Sequence, residues 1–465
     1  MAPKFEDQGG IASSNPSGLV RWIGSRVTTH VASQKRRQNL WRRAEKQRVK
    51  NDEPHQVHYY HQVDDPYSYL AAQLLDAICA NYKIELQVHL VAGPSGDNSP
   101  EPILLQKYSC YDCAAVAPHY GLKFPSKADM PSARNVDVAS RLLAGMSQPQ
   151  RRELLPLVCD ALWENSSARL EQLAQRYKAC DQAEALEVIG QGTALQTQQG
   201  HYSGAMFYYA GEWYWGVDRL YHLEERLSGL GLRRGDGRKL VAPRPKIDLG
   251  PRCDSGSMTL EFYPSLRSPY TSIIFDRTLA LAEASGVRLV LRPVLPMVMR
   301  GVSLSRTKGL YIIADAAREA HALGIEWGKI FDPIGTPVKR AYALFPWAQT
   351  NNKGAELLSS FLHAAWFEGV NTGSDRGLRK VVERAGLDWK EAQAHLADTD
   401  WQEQFESSRQ TMYQSNIWGV PAYRLLDGDG KELLVSWGQD RLWLVARVIQ
   451  EQLRSALEQH ERLVP

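Results

Sequence analysis

Two stretches of the chain carry the same order of hydrophobic and polar positions. The β-patterned Val57-His58-Tyr59-Tyr60 runs into Asp65-Pro66-Tyr67-Ser68-Tyr69 and an apolar helical stretch. About 200 residues later, Leu260-Glu261-Phe262-Tyr263 runs into Ser268-Pro269-Tyr270-Thr271 and another such stretch. A second strand is predicted after each helix, over 84–90 and 287–294, so each copy opens as a β-α-β unit. Lys107-Tyr108, with Asp112 four residues on and Gly121 nine further, is answered at the same tyrosine-to-glycine spacing by Lys308, Tyr311, Asp315 and Gly324. Helical regions containing Ala161-Leu162-Trp163 and Ala364-Ala365-Trp366 follow. Each copy closes on a hairpin-like stretch and a terminal helix, through Trp215-Gly216-Val217-Asp218-Arg219-Leu220 and Trp437-Gly438-Gln439-Asp440-Arg441-Leu442.

This order predicts an α/β protein of two tandem thioredoxin-like domains, each with a helical insertion. The expected division is a basic segment over 1–54, a first domain over 55–238, a linker rich in Pro and Gly over 239–257, and a second domain over 258–465. A chain of 465 residues suits two cores better than one.

Charge changes the picture only at the start. Residues 1–53 hold 11 Lys/Arg against 5 Asp/Glu, whereas the whole chain has a net charge of only +3. The basic residues between Arg21 and Lys50 are interspersed with Trp22, Ile23, Val27, Val31, Leu40 and Trp41, a pattern that suits an amphipathic helix. A nucleic-acid or anionic-lipid contact and a solvated helix at a domain edge are both open to it. The second is preferred, and no nucleic-acid partner is expected. With no apolar run of spanning length and no secretory leader pattern, the expectation is a cytoplasmic protein without a membrane span. Six cysteines do not make a disulfide framework, and Cys79, Cys159, Cys180 and Cys253 are expected to be buried free thiols.

The second half, over roughly 258–453, resembles the 2-hydroxychromene-2-carboxylate isomerase family and the related kappa-class glutathione transferases, in the DsbA-like branch of the thioredoxin superfamily. The residues that carry the resemblance are Ser268-Pro269-Tyr270, Arg292-Pro293-Val294-Leu295, Lys308-Gly309-Leu310-Tyr311, Gly419-Val420-Pro421 and Trp437 to Leu442. The first half resembles the family more faintly.

Ser268 sits where a strand passes into a helix, an anion site that is also an ordinary helix cap. The resemblance implies that Ser268 activates the thiol of glutathione as cofactor. It further implies that Val420, beside a cis Pro421, holds the cysteinyl backbone, that Gln439 and Asp440 hold the γ-glutamyl end, and that Lys308 meets a carboxylate of glutathione or substrate. The implied reaction is reversible thiol addition to a small unsaturated or aromatic carboxylate. Asp315 is read as structural. The site recruits no metal: His55, His58 and His61 lie on a strand whose alternation separates His58 from the other two.

A DsbA-like thiol-disulfide oxidoreductase is the competing reading, beside an inactive thioredoxin-fold scaffold. Dithiol exchange needs Cys-x-x-Cys at the helix start, where this chain has Ser268 and Thr271, and Asp65 and Ser68. The Cys110-Tyr111-Asp112-Cys113 pair falls in a later helix and is read as buried thiols one turn apart. In the first half, Asp65 in place of the serine repels a thiolate, and Gly204 is aligned with Pro421, so glutathione is not expected there. That half is read instead as a partner face, an intrachain pseudo-dimer, with a homodimer as the alternative assembly.

Overall fold

The computed structural model describes residues 15–235, 237, 239–302 and 304–463; Glu6 and Asp7 and the rest of the predicted basic segment before Asn15 lie outside them. The chain forms two compact units, one of residues 37–245 and one that joins 1–36 to 246–465. The basic stretch is therefore shared. It is two helices, Gly18–Ala32 and Gln34–Lys50, separated at Ser33, whose backbone turns extended at ψ 120°.

The 37–245 unit has a four-stranded sheet of β1 (Gln56–His61), β2 (Glu85–Leu90), β3 (Met206–Tyr209) and β4 (Glu212–Trp215), in the order β2-β1-β3-β4. β2 runs parallel to β1, and β3 and β4 are antiparallel to their neighbours. Helix Pro66–Ala72 follows β1, capped by Asp65, which accepts the Tyr67 and Ser68 N–H groups at 3.3 and 2.9 Å. Strand alternation divides the histidines: His58 Nδ1 lies 2.9 Å from His89 Nε2, whereas the buried His61 lies 3.2 Å from the Tyr59 hydroxyl and 3.5 Å from Cys159. Burial pushes the His61 imidazole down to about 3, so it is neutral at ordinary pH.

The second unit has β5 (Thr259–Tyr263), β6 (Arg288–Leu291), β7 (Ala422–Leu426) and β8 (Glu432–Trp437) in the order β6-β5-β7-β8, with the same pattern of one parallel and two antiparallel pairings. Leu260 and Phe262 on β5 point to the face covered by helix Pro269–Ser285. Phe262 sits 5.5 Å from Phe275 of that helix and 5.2 Å from Tyr423 of β7, ring centre to ring centre. Burying a phenylalanine of this kind contributes roughly 1.5–3 kcal/mol. The predicted insertion is helical, running from Thr336–Ala343 to Trp401–Gln414.

Two expectations need correction. Of the four scattered cysteines only Cys159 is buried; Cys79 and Cys180 are half-buried, and Cys253 is exposed on the irregular 246–258 segment. The residue standing where Pro421 stands is Ala205, not Gly204. Met206 pairs with Trp215 as Ala422 pairs with Trp437, and the Gly216 N–H bonds the Ala205 carbonyl at 2.7 Å as the Gly438 N–H bonds that of Pro421 at 2.9 Å. The hairpin register decides this, and turn residues alone do not reveal it.

Candidate functional site

The site in the 246–465 unit grows from the start of helix Pro269–Ser285. Ser268 caps it: its backbone is extended (φ −88°, ψ 118°), and its hydroxyl accepts the Thr271 N–H at 3.1 Å. Proline at the first helical position suits this start, because its missing N–H would have had no helical partner. The same Ser268 hydroxyl lies 3.4 Å from the Val420 carbonyl, so the helix start and the 418–421 loop converge on it. The Val420–Pro421 peptide is cis. Among the described residues the Val420 N–H has no hydrogen-bond partner, and neither does the Gln439 N–H.

Two glycines make the convergence possible. A Cβ on Gly419 would stand 2.3 Å from the Trp437 ring, so only glycine lets the loop lie against that indole. Gly438 has φ +115°, and a Cβ there would come within 2.4 Å of Asp440 Oδ1. Gly438 also donates to the Pro421 carbonyl, which ties the turn carrying Gln439 and Asp440 to the loop carrying Val420.

Ser268, Val420 and Pro421 thus lie together, with Gln439 and Asp440 next along the chain from the Gly438 tie. Gln439 is buried, and its amide donates to Glu319 at 2.8 Å, so its side chain is engaged within the protein. Asp440 is partly exposed, with the buried Arg441 guanidinium 3.9 Å from its carboxylate. Lys308 lies in the first turn of helix Arg306–Ala322. Seven residues further on the same face, roughly 10 Å along the axis, Asp315 accepts the Tyr270 hydroxyl at 2.8 Å and pairs with Arg318 at 2.5 Å. Burial lowers the Lys308 ammonium below its ordinary pKa.

Several residues that support the site escaped the sequence reading. Leu266, two positions before Ser268, has its N–H held by the Tyr342 hydroxyl at 2.9 Å and its carbonyl by the Trp366 indole at 3.0 Å. Arg267 forms a two-pronged pair with Asp332 at 2.8 and 2.9 Å. Arg300, fully buried, donates to the Leu295 and Trp418 carbonyls at 3.0 and 3.1 Å, anchoring the loop two residues before Val420. The one signal for Arg300 in the sequence is a lone charge within the apolar Val294–Val302 stretch.

The corresponding place in the 37–245 unit is closed by its own hydrogen bonds. Asp65 accepts the Ser68 hydroxyl at 2.7 Å, and that hydroxyl accepts the Gln62 and Ala205 N–H groups at 3.2 and 2.8 Å. Burial pushes the Asp65 carboxyl up to about 6, although its three hydrogen bonds oppose the shift. Cys110 and Cys113 are buried in helix Pro102–Val116, and burial raises the Cys110 thiol to about 11. A thiol so raised is a poor source of thiolate.

Residues 259–450 match the family model of the DSBA-like thioredoxin domain, and this part of the chain is accordingly a DsbA-like thioredoxin domain. Curated proteins gave no match. Among solved structures the chain is similar to a 2-hydroxychromene-2-carboxylate isomerase, at 21% identity over 43% of this chain and 98% of that one, with a TM-score of 0.36. It is also similar to a probable DsbA oxidoreductase from Streptomyces coelicolor (21% identity, 43% and 90% covered, TM-score 0.34). A third is the cytosolic disulfide reductase DsbM from Pseudomonas aeruginosa (21% identity, 44% and 100% covered, TM-score 0.32).

Proposed function

We propose that the 246–465 unit binds glutathione and uses it to isomerise, or to conjugate, a small unsaturated or aromatic carboxylate. The observation that carries this reading is the Ser268 hydroxyl at the helix start, facing the Val420 carbonyl where a disulfide exchanger would need a thiol. Ser268 offers an O–H donor to an anionic sulfur, and the first turn of its helix adds partial positive charge. The unpartnered Val420 N–H and its carbonyl form the pair that an extended peptide engages by strand-like bonds. The Gln439 N–H suits a carboxylate and Asp440 an ammonium group, while Lys308 is assigned to a second carboxylate. Glutathione, when bound, supplies the thiol that adds to the substrate and leaves again. The chain's own contribution is to hold, orient and ionise.

The 37–245 unit is read here as a diverged second copy of the same domain. Its sheet has the same order and strand sense, and its Tyr67 hydroxyl bonds Asp112 at 2.9 Å as Tyr270 bonds Asp315 at 2.8 Å. Its Asp65-Ser68-Ala205 bonding leaves no donor for a thiolate, so a single glutathione per chain is expected.

Calorimetry with glutathione tests the proposal. Saturable binding at one site per chain, lost in Asp440→Ala and weakened in Pro421→Ala, is the expected result. Ser268→Ala should raise the pKa of the bound thiol by about one to two units, the equivalent of one charge-assisted hydrogen bond, read from thiolate absorbance. No binding at millimolar glutathione would refute the reading.

A further inference from the structure

The Gly18–Ala32 helix is inside out. Arg21 and Ser25, which face the protein, are 8% and 3% exposed, whereas Leu19, Val20, Trp22, Ile23 and Val27 are 68, 58, 50, 49 and 51% exposed. At 100° per residue Leu19, Val20, Ile23 and Val27 gather on the side opposite Arg21 and Ser25, with Arg26 and His30 among them and Trp22 at the edge of that face. The inward side is held by hydrogen bonds. Arg21 donates to the Asp332 and Ile334 carbonyls, Ser25 accepts the Asp332 N–H at 3.0 Å, and Thr29 accepts the Ile330 N–H at 3.1 Å. Docking within the unit therefore makes no use of the outward apolar residues, and water gives them no reason to cluster there.

We infer that this outward face is a peripheral membrane-binding surface that takes an anionic lipid bilayer. Charge selects that occupant. From Gly18 to Arg36, the part of the basic stretch that belongs to the same unit, the chain holds four Lys/Arg and no acid, and of the four only Arg21 is buried. A second copy brought face to face would oppose like charges, and phosphates of a nucleic acid would leave five large apolar side chains without a partner. An anionic bilayer satisfies both features: the apolar side chains enter the acyl boundary, and Arg26 meets headgroups. Trp22, with the Arg26 guanidinium 5.2 Å from its ring, has the composition of an interfacial anchor. The mode is surface binding, because no helix among the described residues is long and apolar enough to cross a membrane.

The test is co-sedimentation of the full chain with vesicles of phosphatidylcholine, with and without phosphatidylglycerol. The expected result is binding only to the anionic vesicles, weakened by salt, and reduced about tenfold or more in the triple variant Trp22→Ser/Ile23→Ser/Val27→Ser. Thermal unfolding of that variant should match the wild type, since the changed side chains point to solvent, and Arg26→Glu should weaken binding as a second, independent change. Protein left in the supernatant with anionic vesicles overturns the inference. So does a triple variant that sediments like the wild type, or a concentration-dependent dimer that the triple variant abolishes while vesicles bind neither form. The glutathione measurements above are independent of all these outcomes.

Discussion

Replacing Tyr342 by phenylalanine removes one oxygen atom and leaves the ring in place. That oxygen accepts the Leu266 N–H at 2.9 Å and donates to the Val294 carbonyl at 3.1 Å, and Tyr342 is fully buried. The variant therefore strands one buried donor and one buried acceptor, each costing roughly 1–3 kcal/mol; omitting a buried hydroxyl offsets part of this, for a net loss of about 2–3 kcal/mol. For a unit of this size, 1 kcal/mol shifts the midpoint by about 2–4 °C, so the transition of the 246–465 unit should fall by about 5–10 °C in scanning calorimetry, while that of the 37–245 unit stays put. Exchange of the Leu266 amide should accelerate at the same time, because the hydroxyl that accepts it is gone. The Trp366 indole bonds the carbonyl of the same Leu266, so the cost of Tyr342→Phe should differ in a Trp366→Phe background. A midpoint shift below about 2 °C with unchanged Leu266 exchange would refute the claim that Tyr342 pins the segment leading into Ser268.

Acid should loosen the Arg267–Asp332 pair. Burial works to raise the Asp332 carboxyl, but Arg267 and its hydrogen bonds outweigh that and hold it below the ordinary value. The resulting stability is full above the unfolded pKa and is lost as pH falls through the folded one, so Asp332→Asn should flatten the acid limb of the unit's pH–stability curve below about pH 4. Asp65 has the opposite sign. Its folded pKa of about 6 lies above the unfolded value, so its ionisation weakens the 37–245 unit as pH rises from about 4 through 6. Asp65→Asn should therefore stabilise that unit in urea titrations at pH 8, by up to about 2 kcal/mol, and make little difference below about pH 4. A thiol reagent should modify the exposed Cys253 quickly and the buried Cys110 and Cys113 slowly, and Cys253→Ser should remove the fast phase.

The arrangement of strands and helices in both halves was legible because each element has its own local signature: alternation in Leu260 to Tyr263, the Ser-Pro helix start at 268–269, and Gly438 before the closing turn. The meeting of Ser268 with Val420 could be anticipated only through the resemblance, since 152 residues separate them and no periodicity links them. Arg300 and Arg441 were illegible for a physical reason. An isolated arginine is a surface residue unless carbonyls or a carboxylate wait for it in three dimensions. The Gly18–Ala32 helix misleads in another way: a helical wheel shows which side chains share a face, and the usual assumption that the apolar face looks inward is reversed by Arg21, Ser25 and Thr29. The one-residue slip between Gly204 and Ala205 came from the hairpin, whose turn length cannot be counted from composition.

The Ala205 N–H bonded to the Ser68 hydroxyl makes three positions of the 37–245 unit depend on one another. Proline at 205 would withdraw a donor that Ser68 now receives, serine at 65 would take away the carboxylate that the Ser68 hydroxyl bonds, and a side chain at 204 would strike Gln62 at 2.7 Å and Ser68 at 3.0 Å. Each of these changes alone removes a hydrogen bond or meets a clash. The three positions are locked to one another, and the two sheets, alike in strand order, border different hydrogen-bond networks at this place.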